Sequence, residues 1–146
     1  MSPMEIALEE ARAAARRGEV PVGAVVTDAA GQVLSRAGNE VEARHDPSAH
    51  AEILAMRAAA ALRADKHLED ATLWVTLEPC AMCAQAASLF RVKRVVFGAY
   101  DPKSGGVEHG ARVFAHRQCH HAPEVVGGVR EAEAAALLRE FFAARR

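Results

Sequence analysis

Over the first seventeen residues apolar side chains recur at helical spacing at Met4, Leu8, Ala11 and Ala15. Gly18 stands where a C-terminal cap belongs, so an amphipathic helix is predicted over 4–17. The period then changes. "VPVGAVVTD" and "GQVLSRAGN" are β-branched runs joined by a turn at Asp28–Gly31, which reads as a hairpin. A polar loop follows, and Pro47 and Ser48 are start signals for a second helix reaching about Leu62. "ATLWVTLE" is a third strand, which Pro79 ends before a helix from Cys80 to about Phe90. "KRVVFGAY" is a fourth strand and "PEVVGGV" a short fifth. The connection between them, roughly twenty residues, is longer than ordinary loops and therefore suspect as functional. "REAEAAALLREFFAARR" is a last helix with Leu137, Leu138, Phe141 and Phe142 on its apolar side.

This order of elements implies an α/β fold, a mixed sheet with helices on its faces. The later strands, joined through helices, are expected to be parallel with right-handed crossovers. The starts of the second and third helices then share one sheet edge, at the carboxyl ends of strands, where such sheets hold ligands. The 146 residues show no internal repeat and no linker, and one domain over 1–146 accommodates them.

The composition, 51% hydrophobic and 25% charged, is that of a soluble globular protein. No apolar run reaches transmembrane length and the N-terminus lacks a signal peptide's apolar core, so a cytoplasmic location without a membrane is expected. A net charge of −1 excludes strong global attraction to nucleic acid. Local basic tracks remain at Arg16 and Arg17, at Arg91, Lys93 and Arg94, and at Arg145 and Arg146, although such residues are ordinarily solvated surface charges. Two of the three cysteines sit in "PCAMC", which favours metal or redox chemistry over a disulfide framework.

Cys80 and Cys83 stand at i and i+3, so one ion can reach both sulfurs at a helix start, where the unpaired N–H groups favour thiolate. Two thiolates and one imidazole suit Zn²⁺ and leave its fourth position open, the arrangement of a catalytic centre. His50 is the natural third ligand. A lone CxxC is also compatible with a redox pair, and a lone histidine with a packed one. A rival ligand set, His116, Cys119, His120 and His121, is crowded into six positions of the long loop. Glu52, two residues after His50, would lie beside the metal without binding it and could move a proton of a water activated there.

"HAE" at 50–52 followed by "PCAMC" at 79–83 resembles the zinc-dependent cytidine and nucleobase deaminase superfamily. "EVPVGAVV", "GN" at 38–39, "RHDPSAHAEILAMR", "ATLWVTLEPCAMC", "RVVFGAYDPKSG" and "AALLREFFAARR" are similar to its bacterial branch of tRNA-specific adenosine deaminases, over nearly the whole chain. The resemblance implies a three-layer α/β/α fold with a mixed five-stranded sheet, a homodimer, and one Zn²⁺ per subunit held by His50, Cys80 and Cys83. It implies conversion of adenosine to inosine at the wobble position of an arginine tRNA with an ACG anticodon, bound through its anticodon stem-loop. Glu52 would protonate N1 of the base and then the departing ammonia. By the same resemblance Asn39 would meet the base edge, Val20 and Leu77 would wall the pocket, and Asp101 would touch a ribose 2′-hydroxyl. Lys103 would meet a phosphate, and Phe142, Arg145 and Arg146 would help hold the anticodon loop.

The chain departs from that pattern twice. Gln85, Leu89 and Phe90 replace smaller residues in a helix that contributes to the family's dimer contact, and "GGVEHGARVF" replaces a common Ala-Ala-Gly-Ser segment. Two other functions fit the metal motif: deamination of a free base or nucleoside such as guanine, cytosine or cytidine, and a zinc-stabilised binding module without catalysis.

Overall fold

The computed structural model describes residues 1–145 and arranges five strands in the order β2-β1-β3-β4-β5. These are β1 (Gly23–Thr27), β2 (Val33–Gly38), β3 (Thr72–Leu77), β4 (Arg94–Ala99) and β5 (Glu124–Val126). β1 lies antiparallel to β2 and β3, whereas β3, β4 and β5 are parallel, so the mixed five-stranded sheet expected from the sequence is present. Among the described residues five α-helices accompany it: α1 (Pro3–Arg16), α2 (Val41–Arg44), α3 (Ala51–Arg63), α4 (Ala81–Leu89) and α5 (Glu131–Ala143). No described helix is long and apolar enough to cross a membrane.

Strand alternation sorts the core into two layers. Ala24, Val26, Leu73, Val75, Val95 and Phe97 meet α3 and α4 on one face, while Val25 and Val96 meet Met4, Ala7 and Leu8 of α1 and Ala134 of α5 on the other. Both faces of the inner strands are therefore covered, and all five residues of β1 are buried. The α1 layer sits close because Gly23 and Gly38 are register partners beneath it. A Cβ on Gly23 would stand 2.6 Å from the backbone nitrogen of Ala11, and one on Gly38 would stand 2.8 Å from the carbonyl of Glu10.

The element boundaries differ from expectation where polar side chains decide them. Helix α1 begins at Pro3, with Ser2 accepting from the N–H of Glu5 at 3.2 Å. Pro47 and Ser48 do not open a helix: Asp46 Oδ1 accepts from the N–H and hydroxyl of Ser48 at 2.9 and 2.7 Å, forming a turn, and α3 starts only at Ala51. The presumed polar loop before it contains α2. Helix α4 begins at Ala81, after Cys80. On α5 Phe141 is buried, but Phe142 is 47% exposed and does not share the apolar side assigned to it.

Candidate active site

The two helices of the α3–α4 layer each begin at a side chain able to bind metal. His50 is the N-cap of α3 and Cys80 that of α4; both backbones are extended, and neither side chain caps its own helix. Freed from capping, they turn toward a common point. His50 Nδ1 lies 3.4 Å from Cys83 Sγ and 3.7 Å from Cys80 Sγ, and the three donor atoms fall within 4.8 Å of one another. A tetrahedral ion with bonds of about 2.3 Å to sulfur and about 2.0 Å to nitrogen requires nitrogen and sulfur about 3.5 Å apart. The observed pair of distances brackets that value, so these residues fit Zn²⁺.

Among the described residues no second such cluster exists. The rival histidines are engaged elsewhere: His116 Nε2 donates to the carbonyl of Ala111 at 2.6 Å and His121 Nε2 to that of Val92 at 2.7 Å. Cys119 donates to the carbonyl of His121 at 3.2 Å. The first and third contacts lie within the long loop, the second ties it to the turn between α4 and β4, and together they correct the metal-binding alternative.

The charges at the cluster favour a cation. A hydrogen bond from Cys83, aided by His50, brings the Cys80 thiol down to about 4 against the opposing effect of burial. The same bond and burial push Cys83 up, so the two sulfurs share a proton that a cation would displace. The contact with Cys80 raises His50, against burial. Glu52, only 4% exposed, is pushed up to about 7 by burial, which poises it between acid and base near neutral pH.

A cavity of about 450 Å³ opens beside these groups, with His50, Glu52 and Cys80 in its lining. Val20, Leu77, Asn39, Asp101 and Arg145 also line it. Lys103 and Phe142 are exposed and do not, and Arg146 lies outside the described residues. Arg145 stacks on the ring of Phe141, 3.4 Å from its centroid, and donates to its carbonyl at 3.1 Å. Asn39 is anchored at both ends of its carboxamide: Nδ2 donates to the carbonyl of Val20 at 3.1 Å, and Oδ1 accepts from the N–H of Ala51 at 2.9 Å. It therefore supplies, from twelve residues upstream, the helix cap that His50 does not.

Two buried carboxylates escaped the sequence reading. Glu19, 2% exposed, accepts from the N–H groups of Glu42 and Ala43 at 3.0 and 2.9 Å and so holds α2 against the cavity. Glu78 gathers the loop after β4. Burial pushes this group up, but donors from Asp101, His109, Glu108 and Val107 outweigh it and hold the carboxyl below its usual range. The available signal was an acidic residue inside an otherwise apolar segment, in "GEVPV" and in "TLWVTLE".

Residues 2–99 match the cytidine and deoxycytidylate deaminase zinc-binding region. The chain is 50% identical over 144 residues to the tRNA-specific adenosine deaminase of Agrobacterium fabrum, covering 98% of this chain and 93% of that protein. It superposes with a TM-score of 0.91 and 48% identity on a structure from studies of A-to-I editing by tRNA deaminases at the wobble position, covering 93% and 98% of the two chains. It also superposes on the guanine deaminase of Nitrosomonas europaea, at a TM-score of 0.84, 25% identity and coverage of 97% and 83%.

Proposed function

The chain belongs to the cytidine and deoxycytidylate deaminase family, and from that premise we propose that it deaminates adenosine to inosine at the wobble position of a transfer RNA. The observation that carries the reading is a buried, near-neutral Glu52 beside a three-donor zinc site that leaves one position open, within a cavity of base-sized volume. Full-length similarity to tRNA-specific adenosine deaminases supplies the substrate class.

Zinc held by His50, Cys80 and Cys83 would lower the pKa of a water at its open position toward neutrality. The chain's own groups perform the remainder. Glu52 takes a proton from the attacking water and delivers it to N1 of adenine as oxygen adds at C6. A second transfer through the same carboxyl gives the amine its proton, and ammonia leaves as inosine forms. Val20 and Leu77 hold the base plane. The second N–H of Asn39 serves the base edge, since its first is committed to Val20. Asp101 meets the ribose, and Arg145 on Phe141 presents a fixed cation toward the backbone of the anticodon loop.

In the finer reading the substrate is the anticodon stem-loop of an arginine tRNA, with Lys103, Phe142 and Arg146 as outer contacts. The chain is then one deaminase domain acting in the cytoplasm, where free thiols such as its three cysteines persist. Two copies pair through α4, whose Met82 and Leu89 are 39% and 68% exposed. The test supplies an arginine-tRNA anticodon stem-loop and, separately, free adenosine, cytidine and guanine. Inosine in the stem-loop is the expected product; ammonia from the free compounds alone overturns the RNA reading in favour of a base or nucleoside deaminase.

A further inference from the structure

The chain after β4 folds around one carboxylate. The side chain of Glu78 has 0% of its surface exposed. Its Oε1 accepts from the N–H of Asp101 at 3.0 Å and from His109 Nδ1 at 2.8 Å. Its Oε2 accepts from the N–H groups of Val107, Glu108 and His109 at 3.2, 2.9 and 3.1 Å. Glycines permit this closeness: a Cβ on Gly105 would stand 2.5 Å from the carboxyl carbon of Glu78, and one on Gly106 the same distance from the backbone nitrogen of Ala81. The N–H of Gly106 donates to the carbonyl of Pro79 at 2.8 Å, so the loop also rests on the turn that carries Cys80.

At its upstream end the loop holds Asp101 twice. The N–H of Asp101 is bound to Glu78, and its Oδ1 accepts from the N–H groups of Lys103 and Ser104 at 3.2 and 3.0 Å. Both constraints leave the carboxylate half-buried in the cavity lining. The other end is held by His109, whose ring stands edge-on to Tyr100 with centroids 6.2 Å apart. A group that discriminates one hydroxyl must be fixed to within about 0.5 Å, and that precision comes from the residues behind it.

We propose that Glu78 and His109 are positioning residues that set the pose of Asp101, and through it the preference of the site for ribose over deoxyribose, without touching substrate. The inference rests on the proposed reading of Asp101 as the partner of the 2′-hydroxyl. Glu78 has the required chemistry because five donors converge on it and only a carboxylate accepts them all. Glu78→Gln keeps the volume but places an NH₂ group opposite either the Asp101 N–H or the three amides of 107–109. A switch of His109 to its other tautomer cannot repair that conflict, because the backbone N–H groups remain donors.

The readout is the ratio of kcat/KM for a stem-loop with ribose at the target adenosine to that for the same stem-loop with 2′-deoxyadenosine there, alongside zinc content. Glu78→Gln is expected to retain one zinc per chain while the ratio falls by about tenfold. His109→Ala should lower it by a smaller factor, and His109→Asn, which restores a donor, should recover part of the loss. An unchanged ratio in zinc-loaded Glu78→Gln overturns the proposal. So does a uniform loss on both substrates that tracks lost zinc, which would make the pair merely structural. If Glu78→Gln does not fold, the two His109 variants decide on the same criteria. Asp101→Ala separates the two claims: a ratio that falls with Asp101→Ala but not with Glu78→Gln overturns the proposal alone, whereas a ratio unmoved by Asp101→Ala removes Asp101 as the ribose contact and overturns the proposal with it.

Discussion

At the scale of single residues, the site divides labour between side chains that hold and one that moves. Glu52 stands two positions past His50, enters the first turn of α3, and is buried without joining the metal cluster. Glu52→Gln preserves shape but cannot shuttle a proton. We expect one equivalent of zinc per chain by metal analysis and turnover reduced by roughly 10²–10⁴-fold or more. Full zinc with wild-type turnover would instead remove Glu52 as the proton carrier, whereas zinc-loaded wild type without turnover would support a binding module. The holding groups were legible because metal chemistry restricts ligand types and spacing, so "HAE" and "PCAMC" carry their roles in the sequence. The second duty of Asn39 was not legible. A helix cap supplied from twelve residues upstream depends on how β2 and α3 meet, which no local pattern records.

At the scale of elements, backbone proximity and a few side-chain links set the assembly. Because Gly23 and Gly38 lie under α1, Gly23→Ala forces the helix off the sheet. It is expected to lower the unfolding free energy by about 2–3 kcal/mol or more in urea titration; a loss below 0.5 kcal/mol would show that α1 shifts freely. Arg63 at the end of α3 and Asp70 just before β3 are joined at 2.6 Å, and this hydrogen bond holds the Asp70 carboxyl below its ordinary value of 3.8. A carboxyl depressed on folding adds stability above its unfolded pKa and loses it as pH falls through the folded value. The side chains are 31% and 39% exposed, so the contribution is below about 1 kcal/mol. Asp70→Asn is expected to cost that little at pH 7, with the gap to wild type closing as pH falls below the ordinary carboxyl value of 3.8. A gap constant across that range would locate the cost elsewhere. Strand identities and the parallel half of the sheet followed from periodicity and from connections through helices. The start of α3 did not, because Asp46 captured Ser48 in a turn and moved the helix start to the metal ligand.

At the scale of the whole molecule, the metal joins two helix beginnings that belong to separate crossovers. Removing zinc is therefore expected to lower the thermal midpoint by at least about 5 °C, restored by one equivalent of Zn²⁺. Because Cys80 is held low and Cys83 is pushed up by one shared hydrogen bond, rebinding at pH 7 should release the proton that the two sulfurs share. Calorimetry in buffers of different ionisation enthalpy reads that release, and zero proton release would contradict the shared-proton pair. The same wiring bears on how such a site can be retuned by selection. One carboxamide, that of Asn39, is both cavity wall and cap of the helix that follows His50. A lineage drifting toward another base cannot alter position 39 without loosening the metal's seat, whereas the side chains of Val20 and Leu77 have no hydrogen-bonding duty to lose. Adaptation is thus channelled to the apolar walls: a library randomised at 20 and 77 should yield more metal-loaded members than one randomised at 39.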